Sequence, residues 1–275
     1  MTIHLSAITS WSKAFFTAFP FLAITLTFRA LSNRSHQPML RFMTKTEVLA
    51  LLKENTNEQG LANWNKMGAD TGGLKSFGIG LTQLRKIAKQ IGRDHKLALQ
   101  LWKTKNHDAK IVGLLIDDPK AMSRKQAEAQ VEEVDAGMLS HVFSSCNAPL
   151  TKAAFAFDLA KAWIDSSDPI RRRCGHGLVY ELSKNQRNKA LTDAFFLDCI
   201  QRIDGTIGEE ENWVRVAMGG ALMGIGKRNS TLNKAAIKVA KRLGPIEYDA
   251  GDTRCKPLDI LKHLTSDHLK RKLGP

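Results

Sequence analysis

Residues 167–178 have the sequence SDPIRRRCGHGL, and residues 211–222 have the sequence ENWVRVAMGGAL. Aligned without gaps, the two stretches place Gly175 against Gly219, an offset of 44 residues. Each begins with an acidic or capping residue and continues with apolar and small residues at helical spacing. A weaker copy, HDAKIVGLL, begins at His107. These stretches predict helices that repeat along the chain, with small residues where neighbouring helices approach closely.

Helical periodicity also dominates the rest of the chain. Residues 81–91 and 232–243 each carry apolar side chains three or four positions apart, with lysines and arginines between them. Ser230 or Thr231 is expected to cap the second helix, and Gly244, followed by a proline, is expected to end it. Strands should be scarce, because there is no sustained alternation of apolar and polar residues.

The repeat length narrows the fold class. A period of 44 residues falls in the range of HEAT and armadillo repeats, in which pairs of helices stack on one another. The sequence therefore predicts an all-α fold: a right-handed superhelical solenoid of HEAT/ARM-like antiparallel helix pairs. Such an array buries a continuous core and exposes one long concave face.

Composition indicates the class of partner. The 275 residues include 41 Lys and Arg against 27 Asp and Glu, a net charge of +14, and the pI is near 9.7. A polyanion such as nucleic acid is the partner class that this charge favours. The four cysteines contain no CxxC pair, which excludes a disulfide framework and argues against a structural zinc site.

Residues 1–42 differ from the rest of the chain. They carry four positive charges, no acidic residue, and an apolar run of about 15 residues, shorter than the roughly 20 needed to span a membrane. A non-structural extension, a targeting segment and a membrane-associated segment all fit this pattern. The folded domain is expected to comprise residues 43–275, and its net charge is still 14 − 4 = +10.

Several segments carry a family resemblance. FGIGLTQLRKIAKQIG, at residues 77–92, resembles the opening signature of the AlkD-like DNA alkylation repair family, and residues 107–119 are similar to that family's next helix and turn. Residues 168–184 resemble its arginine-bearing helix, and residues 218–229 the helix after that. The resemblance covers roughly residues 45–265. It implies a curved stack of HEAT-like helix pairs that grips double-stranded DNA by its phosphate backbone in a basic groove. In active members it also implies release of N3- or N7-alkylated purines.

The family's catalytic motif is not retained. Active members resemble one another in a Trp-Asp-x-x-Asp motif, whose last carboxylate stabilises the positive charge that develops on the sugar. The aligned residues here run from Gly137 to His141, so glycine replaces the tryptophan and His141 occupies the position of the catalytic aspartate. Gly220 stands where a second tryptophan is expected, and the arginine is retained as Arg172 or Arg173. Because these residues are replaced, the sequence does not assign a catalytic residue.

Two nearby residues were candidates to replace the missing groups. Asp135 precedes His141 by six residues, which on a helix would turn it well away from that position. Trp213 precedes Gly220 by seven residues, and we do not expect it to replace the lost tryptophan.

Basic residues near the predicted helix ends are the candidates for DNA contact. A competing explanation is that cations are stabilised at helix C-termini by the helix dipole. Asp168 or Glu181 could also pair with part of the arginine run 171–173, which spans about 200° of a helix surface. The candidate DNA-binding residues are Arg172, Arg173, Lys184, Arg187, Lys227 and Arg228.

The remaining motifs predict no cofactor or metal site. Cys146, Cys174 and Cys199 are expected to be small buried residues, and His141 and His176 lack a convincing third partner for a Cys/His site. Cys255 lies in a basic stretch that would lower a thiol pKa. The glycine pairs lack the strand context of a phosphate loop.

The sequence as a whole favours a monomeric DNA-binding protein, with no small-molecule cofactor and no membrane contact for the folded domain. A cytoplasmic, nucleoid-associated location is expected if residues 1–42 are not a targeting signal. The alternatives are a DNA N-glycosylase with a displaced acid, and a scaffold that binds other proteins through its helical repeats.

Overall fold

Helices form nearly all the regular structure of the described residues. The computed structural model describes residues 43–135, 137–249 and 256–274, which contain α-helices, three short 3-10 helices and no strand. The α-helices are α1 (Lys45–Glu54), α2 (Glu58–Lys66), α3 (Leu81–Ile91), α4 (His95–Trp102), α5 (His107–Ile116), α6 (Arg124–Val131), α7 (Leu139–Ser144), α8 (Ala156–Ile164), α9 (Pro169–Ser183), α10 (Asp193–Thr206), α11 (Asn212–Gly226), α12 (Ser230–Leu243), α13 (Ile260–Leu264) and α14 (Asp267–Leu273). The 3-10 helices are Gly68–Thr71, Pro149–Lys152 and Ile207–Glu209.

Local sequence explains where most helices begin. Side chains of Asp, Asn, Ser or Thr accept a hydrogen bond from a backbone N–H in the first turn, as Asp168 does at the start of α9. The cap of α12 is Asn229, whose side chain accepts from the N–H of Leu232, so the predicted caps Ser230 and Thr231 lie inside the helix. The expected end at Gly244 is confirmed, since this glycine has a φ of +69°.

The helices pack in two layers. Short loops join α4 to α5, α8 to α9 and α10 to α11, and the helices of each pair pack against one another. Neighbouring pairs meet through a row of helices in which α5 contacts α7, α7 contacts α9, α9 contacts α11 and α11 contacts α13. A continuous apolar core lies between the row and the outer helices α4, α8, α10 and α12. This is the stacking that the repeat predicts.

Glycine permits the closest contact between paired helices. A Cβ atom added to Gly175 in α9 would lie 2.6 Å from the backbone N of Ile164 in α8. A Cβ at Gly113 in α5 would lie 3.0 Å from the carbonyl oxygen of Ala98 in α4. The prediction that small residues stand where helices approach closely is therefore confirmed at these two positions.

Several predictions concern residues outside the described ranges. They include the predictions for the segment 1–42 and for Cys255. Among the residues with described positions, no helix is long and apolar enough to cross a membrane. The same residues contain no group of three or more His, Cys, Asp or Glu side chains that could hold a metal ion.

His176 is buried in α9 without a polar partner. Neither ring nitrogen has a hydrogen-bond partner among the described residues, and burial lowers the pKa of the ring to about 3. His107 is also buried, and its pKa falls to about 4. Both rings are therefore neutral in the folded protein at pH 7.

We predict that Gly175→Ala lowers the free energy of unfolding by about 2 kcal/mol, because α8 and α9 would have to separate. The control is Gly220→Ala in α11, where an added Cβ meets no atom within 4 Å. The control should leave stability unchanged or raise it by up to about 1 kcal/mol, since alanine is the better helix former. Urea unfolding measures the stability of both variants. Equal losses of stability would contradict the close approach of α8 and α9.

Acid should destabilise the fold through His176. Its folded pKa of about 3 lies below the ordinary value of 6.5, so between these values the unfolded chain binds a proton that the folded chain does not. We predict a loss of about 2 kcal/mol from this residue between pH 6.5 and pH 4.5. Urea unfolding of His176→Leu and wild type across this range should show a shallower pH dependence for the variant. If stability falls equally with pH in wild type and in His176→Leu, the ring of His176 is not buried in its neutral form.

Candidate nucleic-acid interface

A cleft of about 1470 Å³ runs across α5, α7, α9 and α11. We call the surface that these four helices present to it the cleft face. Residues of α2 line the cleft at one end, and residues near Tyr248 and Leu258 line it at the other. The cleft thus spans successive repeats, as a binding surface of a stacked helical array does.

The residues aligned with the family's catalytic motif lie in this cleft. Gly137, Met138 and His141 all line it. Gly137 has a φ of +54°, and a Cβ there would lie 3.0 Å from both the Trp64 ring and the His107 ring. A tryptophan cannot occupy this position with the present backbone. His141 is exposed to the cleft, but desolvation by the surrounding protein lowers its pKa, and the charges of Arg173 and Arg85 lower it further. His141 is therefore neutral and supplies no fixed negative charge.

The helical argument that turned Asp135 away from His141 does not apply. It assumed a continuous helix, but α6 ends at Val131, α7 begins at Leu139, and Asp135 lies in the connection. Asp135 is exposed and lines the same cleft as His141. A second carboxylate of the cleft, Asp108, is buried and accepts hydrogen bonds from Ser76 Oγ at 2.8 Å and Phe77 N at 2.6 Å. Burial raises the pKa of Asp108, and these hydrogen bonds oppose the rise.

The arginine run divides between structural roles and the cleft. Arg172 donates to both carboxylate oxygens of Glu210, at 2.7 and 2.8 Å, and also to two backbone carbonyls. Arg171 pairs with Glu128, Glu132 and Asp168. Arg173 lines the cleft, where burial lowers the pKa of its guanidinium. Of the two arginines that the resemblance left open, Arg173 is the one at the cleft face.

Trp213 also lies in the cleft, about two helical turns before Gly220. Seven residues make nearly two full helical turns, so Trp213 and Gly220 lie on the same side of α11, and both line the cleft. The guanidinium carbon of Arg173 lies 5.2 Å from the centre of the Trp213 ring. The Tyr248 ring is 5.8 Å from the same ring.

Sequence reasoning missed two further aromatic residues of the cleft. Trp64 in α2 lies against His107, with 4.4 Å between the ring centres, and Tyr180 comes from α9. No local motif marks Trp64, because it reaches the cleft only through the packing of α2 on the rest of the fold. Tyr180 stands seven residues after Arg173, and that helical spacing could have placed it on the cleft face.

Lys184 and Lys227 lie at the same edge of the fold. They are the C-cap residues that directly follow α9 and α11. Burial lowers the pKa of Lys227, and the positive charges of Lys184 and Lys272 lower it further. Lys184 also lines a smaller pocket of about 560 Å³ with Arg85. We call Arg85, Lys184, Lys227 and Lys272 the basic edge.

The other two candidate cations differ in their surroundings. Arg187 is exposed in the connection after α9. Arg228 instead donates to the carbonyl oxygens of Ser183, Asn185 and Leu191 at 2.9 to 3.0 Å. Its guanidinium therefore holds the connection between α9 and α10 in place.

The smaller pocket contains a cysteine beside a histidine. Cys146 Sγ lies 3.0 Å from His141 Nε2, and Cys146 is half-buried with a φ of +59°. The prediction that Cys146 is buried is wrong, whereas Cys174 and Cys199 are buried as expected. Partial burial raises the pKa of the Cys146 thiol, so the sulfur remains protonated at neutral pH.

Comparison with known proteins identifies the family. The sequence model of a family described as DNA alkylation repair enzyme matches residues 48–249. The chain belongs to this family. An uncharacterized protein of Listeria innocua, Lin0241, is 26% identical over 193 residues, which cover 70% of this chain and 83% of that protein. Lmo0209 of Listeria monocytogenes, also uncharacterized, is 26% identical over 200 residues with the same shares covered.

One solved structure has the same fold. Its protein is described as a member of a new family related to the HEAT-like repeat DNA glycosylases, with affinity for branched DNA structures. It superposes with a TM-score of 0.71 and 24% sequence identity, over 84% of this chain and 97% of that one. The family match confirms the predicted resemblance, and the structural likeness confirms the all-α HEAT-like fold.

The neighbouring cations Lys227 and Arg228 allow a surface role and a structural role to be distinguished by mutation. We predict that Arg228→Ala lowers the free energy of unfolding by about 2 kcal/mol, because three backbone carbonyls lose their donor. The matched variant Lys227→Ala removes the same charge one residue earlier and should leave the fold nearly as stable as wild type. Urea unfolding at neutral pH measures both, and a larger loss for Lys227→Ala would reverse the assignment.

Proposed function

We propose that this protein is a monomer that binds the DNA backbone through the basic edge and the cleft face, that it prefers branched DNA to intact duplex, and that it does so without excising bases. In a bacterial cell this would make it a nucleoid-associated protein. The family to which the chain belongs and the branched-DNA affinity of its structural neighbour support the proposal.

The observation that carries the proposal is the arrangement of the basic edge. Lys184 and Lys227 lie close enough for one charge to lower the pKa of the other, with Lys272 contributing as well. Within the described ranges, no carboxylate forms an ion pair with Lys227, although Lys184 bonds to Glu181 at 2.8 Å. Like charges gathered at one edge repel one another, and a row of phosphates would relieve that repulsion.

The cleft chemistry argues against the family's usual excision. Loss of an alkylated base leaves positive charge on the sugar, which a fixed carboxylate stabilises. The position of that carboxylate holds a neutral His141, and the backbone at Gly137 has no room for an indole ring. Binding of DNA needs neither group.

One observation favours a second candidate function, which is excision by a displaced acid. Asp135 is exposed in the cleft and interacts electrostatically with Arg173. A carboxylate there could act on a sugar held near Arg173. The test measures release of 7-methylguanine from duplex DNA. Release by wild type that is lost in Asp135→Asn would establish excision in place of binding without excision.

The binding proposal is tested by fluorescence anisotropy with labelled intact, nicked and three-way branched duplexes across a salt series. We predict that Lys184→Ala with Lys227→Ala weakens binding about tenfold or more and reduces the slope of log affinity against log salt by about 2.

The control is Lys234→Ala with Lys238→Ala, which removes two exposed charges from α12, away from the cleft. This control should alter affinity and slope much less. Equal effects of the two double variants would show that only net charge matters. Absence of binding to any DNA would contradict the proposal and leave the protein-binding scaffold.

A further inference from the structure

Exposed apolar side chains are concentrated in the cleft. The described residues include four large hydrophobic side chains that are exposed, and three of them, Met67, Met138 and Trp213, line the cleft. The fourth, Leu197, lies on α10. Scattered apolar residues are ordinary on a protein surface, whereas a group of them in one concave site marks a place where a ligand is bound.

Trp213 is the most exposed of the four, at 44%, and its ring is held by its neighbours. Arg173 lies over the ring, which favours a fixed orientation through a cation–π contact. The Asn212 side chain donates to the Asp249 carbonyl and accepts from the Asp249 N–H, both at 2.8 Å. This pair of hydrogen bonds fixes the adjacent Tyr248 beside Trp213, so the aromatic surface is formed before a ligand arrives.

Small residues keep the space beside Trp213 open. Val216, Ala217 and Gly220 follow it along the side of α11 that lines the cleft. An added Cβ at Gly220 would meet no atom within 4 Å. The α11 surface thus combines one aromatic wall with an open floor, a shape that suits a flat, apolar group.

The charge of the surroundings narrows the identity of that group. The positive charge of Arg173 lies against the ring, which favours a flat group carried by a negatively charged ligand, although the carboxylates of Asp108 and Asp135 line the same cleft. In intact duplex DNA the faces of the bases are covered by stacking. At a branch point or an unpaired site a base face is free to stack on an aromatic side chain.

We propose that Trp213 is a stacking site for an unpaired nucleobase at a branch point, and that this site gives the protein its preference for branched over intact DNA. The inference rests on the proposed function, because the phosphate contacts of the basic edge bring the DNA to the cleft. Trp213 then contributes selectivity, and the basic edge contributes the affinity common to all DNA.

The test compares Trp213→Ala with wild type in the 275-residue chain. The probes are a three-way junction with two unpaired bases at the branch, the same junction with abasic residues at those positions, and an intact duplex. We expect Trp213→Ala to weaken binding of the first junction about tenfold and to change binding of the intact duplex less than about twofold. For wild type, the abasic junction should bind as weakly as the unpaired-base junction binds to Trp213→Ala.

Two further variants control for folding and for general loss of apolar surface. Trp213→Phe keeps an aromatic face and should restore most of the junction preference. Leu197→Ala removes an exposed apolar side chain outside the cleft and should have no effect. Circular dichroism melting of each variant checks that the fold is intact.

The outcomes separate the two proposals. An equal loss for junction and duplex, or no loss for either, overturns the stacking site while DNA binding through the basic edge stands. The stacking site is also overturned if Trp213→Ala weakens binding of the abasic junction, because that junction has no unpaired base to stack on Trp213. If wild type binds no DNA, both proposals fail, and an apolar peptide segment becomes the ligand class to test.

Discussion

The close packing of α9 against its neighbours is the constraint on which the site depends. Gly175 allows the backbone of α9 to approach α8, and a Cβ at Gly177 would lie 2.3 Å from Ser144 Oγ in α7. Because α9 lies this close to both helices, its side chains Arg173 and Tyr180 are held at the cleft beside α7 and α11. A larger residue at either glycine would separate the helices and so widen the distance between the groups of the cleft.

The cleft differs from the site that the family resemblance implies in the sign and position of its charges. A neutral histidine replaces the carboxylate that would face the sugar, and the described acids of the cleft lie elsewhere, at Asp108 and Asp135 among others. Arg173 is retained and lies over the Trp213 ring. A surface of this kind is suited to holding phosphates and base faces, which requires no charge to develop during a reaction.

Much of the fold could be predicted from local sequence, because helix caps, apolar stripes and close-packed glycines are local features with direct physical causes. The predicted repeat correctly paired α9 with α11, although the first and last residues of these helices lie 43 positions apart, one fewer than the predicted offset of 44. Local patterns did not show that α6 ends at Val131 and that α7 begins only at Leu139, and so they did not reveal that Asp135 lines the cleft. The position of Trp213 in the cleft could have been predicted, since helical geometry alone places residues seven apart on one side.

The roles of the individual cations depended on tertiary contacts. Arg172 and Arg228 look like surface cations in the sequence, but Glu210 and three backbone carbonyls from distant segments engage them. These partners are 37 to 45 residues away along the chain. Only the folded arrangement distinguishes cations that stabilise the protein from those that remain for a ligand.

Hydroxyl-radical footprinting of the chain with and without branched DNA tests most directly whether the cleft face is the binding surface. The exposed side chains Met67, Met138 and Trp213 report on the cleft, and Leu197 reports on the outer helices. We predict protection of the three cleft residues on DNA binding and no change at Leu197. Bound DNA that leaves the three cleft residues as reactive as before, or that protects Leu197 instead, would contradict the account.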